Sequence, residues 1–408
     1  MSAQSNSRVA DVVVIGGGII GAACAYYLSK EGLKVYLLER GFPCSGASGA
    51  CEGLILLWDK APGPELELGK ASARLWRQLA EELDLDIEYD RGGSILVAED
   101  ETGLKATKEK LQELERAGVQ GLALDALELL ELEPSLARDM AGGVLFPNDA
   151  HLEPRRATLA LLQAAKRMGL ALRTSAPLMG IVLSRQGRVE AVQTAETRLA
   201  THVLVNAAGA WSPEIGKMVG ISIPVLPRKG HIIVMEKAPL FIQRPLLEAG
   251  YTASLANDSL DLSVAMVVKG TRSGTILLGS SRQFAGFDKT VDLGVINAIA
   301  LRAIRFFPKL IDLKAIRTYA GLRPYSPDHL PIIGPVPGIE GFYLATGHEG
   351  AGICLAPITG QLIAQWVTGK PMDLPPESFH PGRFIQRACQ SLSLNTENTP
   401  HSGHPLNP

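Results

Sequence analysis

Apolar and polar positions change period several times along this chain. From Val12 to Leu28 the run VVVIGGGIIGAACAYYL carries no charge. A membrane span needs roughly 20 mainly apolar residues and no glycine cluster, and a secretion signal needs a basic start and a small-residue cleavage site. This run has Asp11 before it and Glu31 after it, and Gly16, Gly17, Gly18 and Gly21 at its centre. A β-branched run followed by these glycines predicts strand, tight turn and helix. LKVYLLER follows as a second strand ending in Glu39. After the Pro/Gly-interrupted DKAPGPELELGK, ASARLWRQLAEEL has helical spacing, IEYDRGGSILVAED predicts a hairpin, and GLKATKEKLQELERAG predicts a charged surface helix. PRRATLALLQAAKRMG is a helix opened by Pro154, and GRVEAVQTAETRLATHVLVNAAGAW reads as strand, turn, strand and then an apolar strand. Strand patterns such as HIIVME and TILLGSS dominate from Pro224 to about Tyr319, and GFYLATGHEGAGICLAPITGQLIAQWVTGK ends the ordered pattern as strand, glycine-rich turn and helix.

This interleaving predicts an α/β and α+β architecture: a Rossmann-like nucleotide domain plus a substrate domain built on a large mixed or antiparallel sheet. The nucleotide domain is assigned residues 8–70, 150–223 and 321–384, and the substrate domain residues 71–149 and 224–320. The polar, Pro-rich end, 385–408, reads as a disordered tail. With 408 residues and 46% apolar content the chain can bury a large core. A formal charge of -2 argues against a nucleic-acid or membrane-surface role. Five cysteines without C-x-x-C spacing indicate neither a disulfide framework nor a zinc or iron-sulfur site, so no metal is expected. No further segment reads as a membrane span. The expected setting is cytoplasmic, with any membrane association made through partners.

The glycine motif carries the first chemistry. Gly16 permits the turn, Gly18 lets backbone approach a pyrophosphate, and Gly21 lets the helix pack on the sheet, while amides at the helix start attract anionic oxygens. Glu39, at the end of the next strand, is placed to accept hydrogen bonds from both ribose hydroxyls and to repel a 2'-phosphate. Two later segments favour FAD over NAD. One is the small-residue loop RGFPCSGASGACEGLI, rich in backbone donors; the other is VLVNAAGAW, which brings Ala208 and Gly209 to a second close approach after a buried strand.

Taken in order, VVVIGGGIIGAACAYYL, VLVNAAGAW, AGLRPYSPDHLPIIGP and GHEGAGI resemble the FAD-dependent D-amino-acid oxidase superfamily. The resemblance runs from about Val9 to Phe384. It lies in the branch of glycine oxidase, the sarcosine oxidases and the β subunit of heteromeric D-hydroxyproline, proline and opine dehydrogenases, with the last two motifs nearest to the heteromeric subunits. It implies FAD contacts from Ile19 and Ile20, from Glu39 and Arg40 at the ribose, from Ala47, Ser48, Gly53 and Leu54 in the loop, and from Leu178 against adenine. His348, Glu349, Gly350, Ala351, Gly352 and Ile353 would lie beside the isoalloxazine ring. That turn opens a helix from about Cys354, whose amides and positive dipole end would face the site where negative charge collects on flavin reduction.

Arg323 is the expected substrate anchor: a guanidinium can grip a carboxylate with two parallel hydrogen bonds, and the resemblance implies a carboxylate-binding arginine at this position. Tyr251 and Tyr325 are candidates for lining the substrate side, with His348 and Glu349 beside them, and His329 is expected to hold the loop after Asp328. Where the glycine oxidase type has an arginine this chain has Gly350, preceded by Glu349. A lost cation and a gained carboxylate are expected to favour a substrate carrying an extra amine, guanidinium or hydroxyl. The covalent-flavin sarcosine oxidases carry a cysteine where Gly321 and Leu322 stand here, so FAD is expected to bind noncovalently. Cys51 and Cys354 are expected to be packing residues. The implied reaction is oxidation of the Cα amine of a small amino or imino acid, D-hydroxyproline-like, to an imine. The implied setting is the β-type subunit of a dehydrogenase with a second flavoprotein and a small iron-sulfur subunit. The alternatives are a self-contained oxidase using O2 and, from another class, a non-catalytic FAD-binding subunit.

Overall fold

The computed structural model describes residues 8–251 and 262–385, so the disordered tail expected at 385–408 lies outside the described residues from 386 onward. Val12–Ile15, entirely buried, forms the strand ahead of the glycine turn, and Ile19–Lys30 the helix after it. That strand lies inside a six-stranded sheet with spatial order Ile332–Pro335, Phe342–Thr346, Val203–Asn206, Val12–Ile15, Val35–Leu38 and Ala171–Arg173. Neighbours pair in parallel except at the first edge, where Ile332–Pro335 runs antiparallel. A four-stranded sheet, Arg8–Val9, Arg198–Ala200, Val189–Thr194 and Leu178–Leu183, accompanies it. These strands are distant in sequence, so the nucleotide-type core is assembled from several segments, as the interleaved pattern predicts.

The second body is an eight-stranded mixed sheet in the order Ala315–Tyr325, Leu226–Lys237, Thr275–Phe284, Leu262–Gly270, Leu246–Glu248, Ser94–Ala98, Gly142–Phe146 and Leu122–Leu124. The helix Leu293–Phe306 buries Val295, Ile299, Ala303 and Phe306 against it. The helix does not stand out among the strand patterns that dominate this region of the sequence, because it is rich in β-branched and apolar residues.

Three other expectations are corrected. The segment IEYDRGGSILVAED is not a hairpin: Ser94–Ala98 pairs with Gly142–Phe146 and Leu246–Glu248, while Asp90 bridges to His151. The domain boundaries at 70/71 and 320/321 fall inside elements, the helix Pro64–Glu82 and the strand Ala315–Tyr325. That helix buries Leu68, Trp76 and Leu79 in the nucleotide-side core, and that strand carries the large sheet through to Tyr325. Finally, Glu349–Thr368 has the length and hydropathy of a membrane span, although no span was expected anywhere in the chain. Its apolar residues, Leu355, Ile358, Leu362 and Ile363 among them, are buried in the core of the fold.

The helix Gly352–Thr368 packs on the glycine-turn helix Ile19–Lys30. Gly360 is required there, because a Cβ at this position would stand 2.6 Å from the carbonyl carbon and oxygen of Ala23. The two helix N-termini therefore approach the same cavity from a fixed relative position.

Candidate active site

A cavity of about 470 Å³ runs between the six-stranded sheet and the eight-stranded one, lined from Gly16 to Ile20, past Leu54, to Arg323 and the turn at His348–Ile353. At one end Gly16 adopts φ +108°, and a Cβ there would meet Ala207 O at 2.5 Å. A Cβ on Gly21 would drive into Gly16 O, so both glycines are demanded by the turn. Glu39 is buried, its Oε2 accepting from Gly17 N–H at 2.7 Å and its Oε1 from Gly41 N–H at 2.8 Å. Those bonds fix the carboxylate on the cavity wall with acceptor capacity left over. Ser48 Oγ accepts from Ile19 N–H at 2.9 Å, tying the loop to the helix start. Arg40 stacks over Trp211 with its guanidinium 4.0 Å from the ring centroid.

Of the residues expected to hold a cofactor, Gly16, Gly18, Ile19, Ile20, Glu39, Arg40, Ala47, Ser48, Gly53, Leu54, Leu178, Ala208, Gly209 and His348 to Ile353 all line this one cavity. Gly21 does not; its role is helix packing.

At the other end Arg323 lines the cavity, and Arg228 and Arg282 share its sheet face outside the lining. Arg228 and Arg323 are directly opposed on the antiparallel strands Leu226–Lys237 and Ala315–Tyr325, so their side chains leave the sheet on the same side. Gly230, two residues along, leaves that face bare, and the Arg323 guanidinium lies across it. Arg323 donates from Nη1 to Ser281 O at 2.9 Å, and the rest of the fork is turned to the cavity. Burial, followed by the like charge of Arg282, pulls its pKa down from the ordinary arginine value. Arg282 lies over the Tyr251 ring at 4.6 Å. Tyr251 lines the cavity, whereas Tyr325 does not: its ring is buried edge-on to Phe284 and to His329 and faces Arg228 at 5.3 Å.

Glu349 corrects the expectation made for it. Its carboxylate is not open to a cationic substrate group, because Oε1 accepts from Arg228 Nη1 at 2.7 Å and Oε2 faces His329 Nδ1 at 3.2 Å. Burial pushes its pKa up, but the His329 hydrogen bond and the Arg228 charge outweigh burial and hold it below the usual carboxylate range. His329 thus supports Glu349 rather than the loop alone. His348 is buried with Nε2 at 2.9 Å from Thr359 Oγ1, and burial depresses its pKa to about 3. It stays neutral near pH 7 and has no imidazolium proton to give. Cys51 and Cys354, pushed by burial to about 12, remain thiols.

Sequence reasoning passed over Arg228, Arg282 and the buried Asp59–Lys60 pair, whose charged atoms are 2.5 Å apart in the cavity wall. The signal was present in LPRKGHIIV, where a strand pattern carries a cation on a face that is otherwise apolar or glycine. Trp76 was also missed; its Nε1–H donates to Ile353 O at 2.8 Å and pins the turn at the start of the long helix.

The residues present fit a bound dinucleotide: the glycine cradle, the oriented Glu39 and the buried His348 Nδ1, which has no hydrogen-bond partner, all belong to one continuous cavity. Comparison with known proteins agrees. Residues 11–366 match the family described as FAD dependent oxidoreductase. The hydrogen cyanide synthase subunit HcnC of Pseudomonas aeruginosa is 30% identical over 93% of this chain and 97% of its own. The glycine oxidase of Geobacillus kaustophilus is 32% identical over 90% of this chain and 96% of its own. Among solved structures, the L-proline dehydrogenase from P. horikoshii superposes with a TM-score of 0.84 at 26% identity, covering 93% of this chain and 98% of that one.

Proposed function

The chain belongs to the family of FAD dependent oxidoreductases, and from that premise we propose that it oxidises the Cα–N bond of a small amino or imino acid to an imine. The single observation that carries the reading is Arg323, a half-buried guanidinium on the wall of the FAD cavity with most of its donor fork turned inward. Bound FAD supplies a hydride acceptor. The chain's own residues do the rest. Glu39 and the Gly16–Gly21 turn hold the nucleotide half, and the amides at the start of Gly352–Thr368 offer a positive dipole end to the flavin half. Arg323 clamps the substrate carboxylate, so that the acceleration comes chiefly from orientation. No side chain is assigned as general base, and His348, with its pKa held at about 3 by burial, is too weak a base for that role near pH 7.

We favour a cyclic, D-hydroxyproline-like imino acid and a β-type subunit of a heteromeric dehydrogenase, with a second flavoprotein and a small iron-sulfur subunit as partners. The motif resemblance supports this, as does a relative that is itself a subunit. The second reading, a self-contained oxidase using O2, is supported by the near full-length similarity to glycine oxidase. The test is to mix the purified yellow protein anaerobically with D-hydroxyproline, D-proline, L-proline, glycine, sarcosine and octopine, and then admit air. Bleaching by a cyclic imino acid with slow recolouring is the expected result. Rapid recolouring would favour the oxidase, and no bleaching by any of the panel would remove the substrate reading.

A further inference from the structure

Two glycines on the large sheet are each covered by a charged side chain from another element. The Arg323 guanidinium lies across Gly230, and the Glu52 carboxylate lies across Gly279, where a Cβ would run into Oε1 and stand 3.5 Å from Cδ. Ile233 pairs with Leu278 in the antiparallel register, which sets Gly279 beside Ile232, two residues along from Gly230. Gly230 and Gly279 are therefore diagonal neighbours on one face, about 7–8 Å apart. Opposite charges thus stand over that face at a separation an α-amino acid can bridge, with a charge-assisted hydrogen bond of about 2.8 Å at each end. The two charges act on each other: burial and then Arg282 lower the Arg323 pKa, and the Glu52 charge works against both.

Glu52 itself lines the FAD cavity. Its Oε1 is buried and has no hydrogen-bond partner among the described residues, a state that costs stability unless a donor arrives. Its backbone is held firmly. Lys269 Nζ donates to Glu52 O at 2.7 Å and to Leu152 O at 2.9 Å. Ala50 sits against the strand that carries Arg323, where a Cβ on Gly321 would stand 2.8 Å from the Ala50 Cβ.

We propose that Glu52 is the amine anchor of this site: its carboxylate accepts a hydrogen bond from the substrate's ammonium, primary or cyclic secondary, while Arg323 holds the substrate carboxylate. The pair recognises the zwitterion, and so selects amino and imino acids over acids of the same shape without nitrogen. The substrate supplies the donor that Oε1 lacks. The inference rests on the reading of Arg323 as the carboxylate clamp.

The experiment uses FAD-loaded protein and two ligands of equal shape, 2-aminoisobutyrate and pivalate, which carry no hydrogen on Cα and so cannot be oxidised there. Dissociation constants are taken from perturbation of the visible flavin spectrum. In the unaltered protein 2-aminoisobutyrate is expected to bind about tenfold or more tightly than pivalate, the scale of one charge-assisted hydrogen bond. Glu52→Leu, which removes charge and acceptor together, should bring the two affinities to within about threefold of each other, and Glu52→Gln, which keeps a neutral acceptor, should fall between. The proposal is overturned if the unaltered protein binds both ligands equally, or if its preference survives Glu52→Leu. The first of these outcomes needs no variant, so the proposal stands open to refutation even if the Glu52 variants fail to fold. Arg323→Met separates the two layers: pivalate binding unchanged in that variant, or a flavin spectrum in the unaltered protein that answers to neither ligand, defeats the underlying clamp, whatever Glu52 does.

Discussion

Gly230→Ala isolates the clamp from the rest of the molecule. A Cβ built on Gly230 stands 2.7 Å from Arg323 Cζ and 2.8 Å from Nη2, and closer still to Nη1. Non-bonded carbon and nitrogen rest at about 3.5 Å, so the guanidinium has to retreat by roughly 1 Å or more. The obstacle is the far end of a flexible side chain rather than backbone, and no positive φ is recorded at Gly230. The fold should therefore survive while the clamp is displaced. One charged hydrogen bond to a substrate carboxylate is worth about 1.5–3 kcal/mol, which converts to about 10-fold to 150-fold in affinity. A misplacement of about 1 Å also removes up to about 100-fold in rate by disturbing the reacting geometry. The assay is anaerobic stopped-flow bleaching of the flavin as a function of substrate concentration, with thermal midpoint and flavin content measured in parallel. An alanine variant with full flavin, an unchanged midpoint and unchanged bleaching would refute Arg323 as the anchor. A variant that loses its flavin would show instead that Gly230 serves the fold.

Other consequences are as direct. Glu39→Ala leaves the Gly17 and Gly41 amides without their acceptor and removes the ribose partner; FAD should dissociate about 10-fold to 100-fold more readily, read as lost 450 nm absorbance after dialysis. Trp76→Phe keeps the bulk of a fully buried ring but removes the bond to Ile353 O; unfolding by urea should show a loss of about 1–3 kcal/mol, with weaker FAD retention because the turn at 348–353 loses its brace. Glu133 is fully buried, and burial raises its pKa to about 7. A carboxyl whose folded value exceeds its unfolded value of about 4.3 stabilises the fold below that value and loses this contribution as pH rises to about 7 and beyond. Glu133→Gln should flatten the decline of thermal midpoint across that window; an identical decline in the variant would assign it to other groups.

Much of the nucleotide side was legible because its signals are local. A β-branched strand, a glycine turn, a slim alanine-rich helix and a carboxylate at the next strand end all lie within one short stretch, and each residue's role follows from its neighbours. The substrate side was not legible in the same way. Arg228 and Arg323 are 95 positions apart, and only the register of two strands brings them together. Glu349 was correctly placed beside the cavity but given the wrong chemistry, because nothing near it in sequence announces Arg228. The supposed hairpin around Gly92 and Gly93 failed for a related reason: local turn propensity was present, but the strand found better partners from the distant segments Gly142–Phe146 and Leu246–Glu248.

The contact between Gly360 and the Ala23 backbone has a consequence for how this site can change. Two helices that meet without room for a methyl group leave no slack for one to slide against the other, so the cofactor-facing turn and the turn carrying Glu349 behave as one casting. The opposing wall is different, since its strands present side chains and bare glycines that can be exchanged one at a time without moving backbone. New substrates would therefore be acquired by rewriting the sheet face, at cavity-lining positions such as 230 and 232, while the helical wall keeps the flavin where it is.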